Sequence, residues 1–335
     1  VLLIAMAGAT LDHVVAALAG SVWLLLAARF VAGICGASTA AATAYVADVS
    51  TPEQRGRAFA IAGATFAIGF VSGPALGGLL GELGPRVPFV AAAVLTGLNF
   101  LYGAFVLPES LAPDKRRPLD LGALNPLSGL MGWRRHRLVA GLLAAIFLFM
   151  LAHSAVQATW VLFTGAQLGW GTREVGISLG VLGITAILAQ AGFAPVMIRR
   201  AGPGRTLLVG LFAMSLFCAA LAFVSAGWQL YAALVFMPFA MAAAPAAQAL
   251  TSTAVGDDEQ GLLQGTVSGV TGLAAVIGPL AGAAAFSRFV GPGAIAHFPG
   301  AAFLLAAVLG LVALAVAARA TASVSHATSG ERRDR

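Results

Sequence analysis

The sequence predicts an all-α polytopic membrane protein with ten transmembrane helices, and three observations lead there. Apolar residues make up 59% of the 335 positions and charged residues only 10%, against roughly 25% charged in soluble domains, and the mean hydropathy is +0.92. Apolar segments of membrane length recur between short charged loops. The basic residues gather in alternate loops. A soluble globule could not hide so much apolar surface, which excludes water-soluble enzymes and nucleic-acid binders as classes. The net charge of +6 would suggest a nucleic-acid partner only if the arginines were not topology signals. Cys35 and Cys218 lie in apolar runs without CxxC spacing, so neither a disulfide scaffold nor a thiolate metal site is expected.

The expected spans are 1–19, 22–47, 58–81, 87–107, 138–164, 172–198, 206–225, 228–254, 262–286 and 299–318. Each reaches the ~17–25 residues that carry a helix across ~30 Å of hydrocarbon, and tilt absorbs the surplus of the longer ones. A β-barrel would show alternating segments of ~10 residues, which the sequence lacks. Orientation follows from the basic loops. With Arg55 and Arg57 placed on the cytoplasmic side, that side also receives Lys115, Arg116, Arg117, Arg134, Arg135, Arg137, Arg199, Arg200, Arg205, Arg319, Arg332, Arg333 and Arg335. The opposite side holds Arg86, Arg173 and Arg288, and Arg29 falls within a span. The C-terminus is therefore expected in the cytoplasm.

A repeat with a constant offset of 205 positions runs through the chain: Trp23 falls on Trp228, Gly56 on Gly261, Gly73-Pro74 on Gly278-Pro279 and Gly77 on Gly282. The second copy is preceded by two further spans that have no counterpart ahead of Val1, so the repeat predicts twelve spans in two pseudo-symmetric halves, of which this chain carries ten. Residues 1–107 are expected to form the last four helices of the N-terminal half. Residues 108–137 would be a cytoplasmic linker, 138–319 the six-helix C-terminal half, and 320–335 a cytoplasmic tail. The linker opens with Pro108, Pro113, Pro118 and Asp114-Lys115-Arg116-Arg117. Its Asn125-Pro126 then reads as a helix start. Leu127, Leu130, Met131 and Trp133 suggest a short interfacial helix on the cytoplasmic leaflet, with an irregular loop as the alternative.

Three intramembrane features carry the functional reading. Gly69, Gly73 and Gly77, with Gly78 alongside and Pro74 among them, strip one face of the third span to backbone and bend it. Gly278 and Pro279 repeat part of that pattern, which suits a rocking interface, with ordinary GxxxG packing as the alternative. Arg29 lies within the second span, where a charge costs ~2.5–3.5 kcal/mol on insertion scales unless paired or snorkelling. Asp12, with His13 beside it, is an acid well inside a span, and such a carboxyl is either a proton or cation site or neutral and merely hydrogen-bonded. No HExxH or G-x-S-x-G motif is present and the five histidines are scattered, so no catalytic or metal-binding constellation is expected.

Ala28-Arg29-Phe30-Val31-Ala32-Gly33 through Ala47-Asp48, Pro52-Glu53-Gln54-Arg55-Gly56, and Gly73-Pro74-Ala75-Leu76-Gly77-Gly78 resemble the motifs of drug:proton antiporters of the major facilitator superfamily. Met6 to Asp12, Leu107-Pro108-Glu109-Ser110, Trp160-Val161-Leu162-Phe163 and Glu259-Gln260-Gly261-Leu262-Leu263-Gln264-Gly265 resemble the tetracycline-efflux branch, from its third helix to its twelfth. One departure stands out: the acid that metal–tetracycline exporters carry in their ninth helix is replaced here by Met214, and 206–225 holds no acid. That argues against a metal–tetracycline chelate as the cargo, while leaving efflux intact.

The resemblance implies alternating access in the inner (plasma) membrane, with export of an amphiphilic drug-like compound coupled to proton uptake. The proton would be the only coupling species, with no cofactor and no metal. Asp12 would carry the proton with Arg29 tuning it, while Asp48 and Arg55 would belong to a cytoplasmic charge network that latches one state. The cavity would be lined by Ser38, Thr39 and Thr43, by His153, Ser154 and Gln157, and by Gln248 and Thr251, each of which could instead bond to its own helix backbone. The partners implied are the small-molecule substrate and the lipid bilayer, with the protein acting as a monomer. An uptake carrier for a small metabolite is the alternative within the superfamily, and an intramembrane enzyme the remote one.

Overall fold

The computed structural model describes residues 2–35, 38–108, 133, 136–256, 259–291, 293–294 and 296–331. These form helices joined by turns, with no strand among them. Among the described residues, eight helical stretches are long and apolar enough to cross a membrane: 57–81, 87–106, 137–168, 172–201, 203–222, 227–253, 262–290 and 301–322. Two shorter apolar helices, Leu2–Leu18 and Val22–Gly33, stand at the first two expected spans. The chain divides into two compact units, Val1–Leu119 with Thr172–Gly183, and Asp120–Gly171 with Ile184–Arg335.

The first unit contains α1 (Leu2–Leu18), α2 (Val22–Ile34), α3 (Ser38–Val49), α4 (Pro52–Gly81) and α5 (Val87–Val106). Ser21 caps α2 by accepting the Leu24 N–H at 3.3 Å. Expected as one span over 22–47, the second membrane segment is divided between α2 and α3. The helical ladder of α2 ends at Cys35, two residues after Gly33, a residue of low helix propensity. Arg86 closes the far end of the unit by donating to the Ala19 carbonyl at 3.2 Å. The buried apolar contacts are made largely by small residues, including Ala5, Ala16 and Ala17 on α1. Gly8 seats Cys35, and Gly103 of α5 seats Met6 and Leu3.

The second unit begins with α6 (Arg137–Leu168), which Gly169 terminates in the left-handed conformation at φ 65°, a position that favours glycine. The first part of α7 (Thr172–Leu188) belongs to the first unit and its end to the second. A π turn at Ala189–Phe193 follows and leads into α8 (Ala194–Ala201). Pro195 offers no N–H to the carbonyl four residues back, and the ladder widens there. Next come α9 (Pro203–Ala222), α10 (Gly227–Ala233), a 3₁₀ turn at Leu234–Phe236, α11 (Met237–Met241) and α12 (Ala243–Thr253). Two long helices, α13 (Gln260–Val290) and α14 (Ala301–Glu331), complete the unit.

The 205-position offset reappears in these bounds. It carries α3 onto 243–254, one residue longer than α12, which starts after a break at Ala242. Pro238 and Pro245 flank that break and prevent a continuous ladder. In the second unit Phe303 lies 4.6 Å from Phe163 and 6.2 Å from Trp160, centroid to centroid, and all three rings are buried.

Trp133 is 2% exposed and packs with Val139, Leu143 and Leu263, its indole N–H donating to the Thr266 hydroxyl at 3.2 Å. This corrects its expected place on the leaflet surface: an amphipathic pattern reports an apolar side chain, not whether lipid or protein covers it. Asn125, Pro126, Leu127, Leu130 and Met131 lie outside the described residues.

Candidate functional site

Asp12 sits on α1 and Arg29 on α2, adjoining helices whose close approach depends on Gly8, where a side chain would collide with Cys35. The approach brings Arg29 Nη1 to 3.1 Å from Asp12 Oδ2. The two side chains differ sharply in setting, the carboxylate being 5% exposed and the guanidinium 56%. Only one carboxylate oxygen is engaged; Asp12 Oδ1 is buried without a hydrogen-bond partner among the described residues. Neighbouring His13 is tied to its own helix, Nδ1 lying 2.7 Å from the Ala9 carbonyl. Removing Arg29 would leave the buried Asp12 carboxylate without its ion-pair partner.

The glycines of α4 divide into two sets. A methyl group at Gly78 would come 2.9 Å from the Gly176 Cα and 3.0 Å from the Thr172 carbonyl oxygen, and one at Gly81 would come 2.6 Å from the Thr172 methyl. The start of α7 therefore lies directly on the backbone of α4. Arg173 Nε and Glu82 Oε1, 3.9 Å apart, flank this contact. Around Gly69, Gly73 and Gly77 no atom of the described residues lies within 4 Å of an added methyl. The corresponding Gly278 and Gly282 in α13 are both packed against α6: a methyl on Gly278 would meet Ser154 Cβ at 2.7 Å and the Leu151 carbonyl at 2.8 Å, and one on Gly282 would meet the Ala155 carbonyl at 2.9 Å. Pro74 and Pro279 sit inside uninterrupted helices.

The other residues singled out from the sequence are spread over both units. Ser38, Thr39 and Thr43 lie on α3, and Arg55 on the first turn of α4; their side chains fall outside the described residues. Asp48 is exposed near the end of α3. On α6, Gln157 Nε2 lies 3.1 Å from His153 Nε2, and the His153 ring stacks on Phe149 with 10° between planes. Gln248 lines a cavity of about 200 Å³ together with Phe149, Met150 and Thr271. Thr251 is fully buried and returns its hydroxyl to the Ala247 and Gln248 carbonyls at 3.0 and 3.1 Å, the local bonding weighed for it above. A larger groove, about 680 Å³, opens on the first unit between α1, α3, α4 and α5, with Thr96 and Asn99 as its polar lining. Sequence reading passed over Asn99; its signal was an amide inside an apolar run. No group of three or more His, Cys, Asp or Glu able to hold a metal ion occurs among the described residues.

Comparison with known proteins bears on what this arrangement is for. The sequence pattern of the Major Facilitator Superfamily matches residues 1–243. The class C tetracycline resistance protein of Escherichia coli is 38% identical over 314 residues, 94% of this chain and 78% of that protein. The class G tetracycline resistance protein of Vibrio anguillarum is 33% identical over 327 residues, 95% and 80% respectively. Among solved structures, a bacterial homolog of the human lysosomal transporter Spinster, in an inward-facing and occupied conformation, aligns with a TM-score of 0.72 at 16% identity, covering 95% of this chain and 82% of the other.

Proposed function

Since this chain belongs to the Major Facilitator Superfamily, we propose that it exports an amphiphilic drug-like compound from the cell in exchange for protons, by alternating access. The single observation that carries the proton part is the half-satisfied carboxylate of Asp12, held by Arg29 through Oδ2 and bare at Oδ1. Protonation of Oδ1 would weaken the attraction to Arg29 and so shift the balance between two packings of α1 and α2. Arg29 is the tuning cation, and Asp48 and Arg55 form the cytoplasmic latch. Similarity to tetracycline resistance proteins supports the export direction and the drug-like cargo. The apolar character of the helices supports a cavity that suits a ring system with few polar groups. The proton is the coupling species, no cofactor takes part, and the working form is a monomer with its C-terminus in the cytoplasm of the cell bounded by this inner membrane.

Asp12→Asn tests the proposal directly. Asn keeps the size and much of the hydrogen bonding but cannot exchange a proton. Drug uptake into inverted vesicles under an imposed pH gradient should fall at least tenfold, while drug binding followed by fluorescence quenching persists. Full pH-driven transport by this variant would refute the proton-site role of Asp12.

A further inference from the structure

The 200 Å³ cavity of the second unit is walled by α6, α9, α12 and α13, and a side chain that belongs to none of them sits at one end of it. Trp133 precedes α6 in a single turn, closed by the His136 N–H donating to the Trp133 carbonyl at 2.9 Å. Its indole reaches in among Val139, Leu143 and Leu263, with Val267 against the same cluster. The cavity begins one helical turn deeper on the same helices. On α6 its lining is Ile146 and Phe149, beyond Leu143; on α13 it is Thr271, beyond Val267, which borders both the indole cluster and the cavity. On α12, which runs the opposite way, Ala247 lines the cavity, and Ala254, just past the helix end, packs toward the indole.

We infer that Trp133 is a movable stopper for this cavity. With the indole seated, the cavity is shut toward the end at which α6 and α13 begin, and a small molecule enters from that end only when the indole withdraws. The indole stands outside the helices, so it can swing out on the 133–136 turn without unwinding α6. Its polar tether among the described residues is the N–H to the Thr266 hydroxyl at 3.2 Å, and Thr266 gives its own proton to the Leu262 carbonyl at 2.8 Å. Withdrawal therefore strands no donor on the wall, while the indole N–H finds water, so the penalty of an unsatisfied buried group is avoided. Arg134, Arg135 and Arg137 flank the indole in the sequence, and their charges favour the aqueous side of the boundary. This inference stands on packing and is independent of the proton chemistry proposed above.

Thiol labelling tests it. The full chain carries Ala247→Cys, on the cavity wall at a position 3% exposed, together with Cys35→Ser. Native Cys218, fully buried and outside the cavity lining, is the control within the same molecule. Reaction with N-ethylmaleimide in detergent is followed peptide by peptide by mass spectrometry. Trp133→Ala is expected to raise the labelling rate at position 247 at least tenfold. Thr266→Val, which keeps the shape of the wall and removes the tether, should raise it about fivefold, the factor that one net hydrogen bond carries. Labelling of Cys218 should stay unchanged in both. Thr266→Val decides alone where Trp133→Ala does not fold. An unchanged rate at position 247 in either folded variant, or a parallel rise at Cys218, would overturn the inference.

Discussion

Helices α4 and α13 are thirty and thirty-one residues long and share a Gly-Pro-x-x-Gly signature, yet the two are packed on different sides. In α13 the glycine before the proline and the one four residues later rest on α6. In α4 the equivalent pair is bare, and the close contact is made instead by Gly78 and Gly81 on the start of α7. Neighbouring helices show the same contrast. Within the most apolar stretch, 6% of α5 is buried against 39% of α14 and 50% of α6. A glycine motif therefore specifies a surface able to accept a helix; which glycine is used depends on which helices are at hand. In lipid the unused face carries little penalty, because hydrocarbon solvates apolar side chains as well as protein does.

Substitutions that load one side and spare the other would sharpen or break this contrast, and they rank by how much packed material each disturbs. Trp133→Ala, at the buried end of the second unit, is expected to cost about 3–5 kcal/mol by cavity formation, read as a lowered melting temperature in detergent. A change confined to surface properties would show that the indole is not the plug its burial indicates. Gly278→Leu comes next, at roughly 1–3 kcal/mol or more from overpacking against Leu151 and Ser154. Its counterpart Gly73→Leu should not lower the melting temperature of the 335-residue chain, since that face is open and leucine is the better helix former. Equal losses in the two variants would abolish the distinction between the helices. Gly176→Ala should cost about 1 kcal/mol, because its methyl would meet the Gly78 Cα at 2.9 Å and the Pro74 carbonyl at 3.1 Å. The smallest effect carries the opposite sign: Gly69→Ala should stabilise by up to ~1 kcal/mol through helix propensity alone, and a destabilisation there would reveal a contact that the bare face does not show.

Much of this was legible in the sequence. Hydropathy and basic loops mark the membrane segments, and the 205-position offset carries α3 onto α12. Hydropathy is blind to backbone continuity, however, so the segment over 22–47 reads as one span although its ladder ends at Cys35; Gly33 with Gly36 was the signal, as Pro238 and Pro245 were in the second copy. Asp12 and Arg29 are each conspicuous as charges inside spans, but their pairing at 3.1 Å depends on the Gly8–Cys35 approach, which no periodicity encodes. Trp133 misled for a different reason, since a lone tryptophan after a charged linker fits a leaflet surface and a protein core equally well. The glycine faces were readable as surfaces and unreadable as contacts, because a contact also requires the partner.

The π turn at Ala189–Phe193 has a bearing on how this chain is compared with others. A π turn holds one more residue than an α turn, and one residue is worth about 100° of rotation on an α-helix. Positions before Ala189 and after Phe193 that face the same way are thus separated by one residue more than helical spacing predicts. An alignment of this helix with a relative lacking the wide turn needs a single-residue gap inside a membrane segment, where gaps are usually forbidden. Without it, the Arg199-Arg200 end of the helix is matched to residues on the wrong face, and the error looks like divergence in function when it is only a shift in phase.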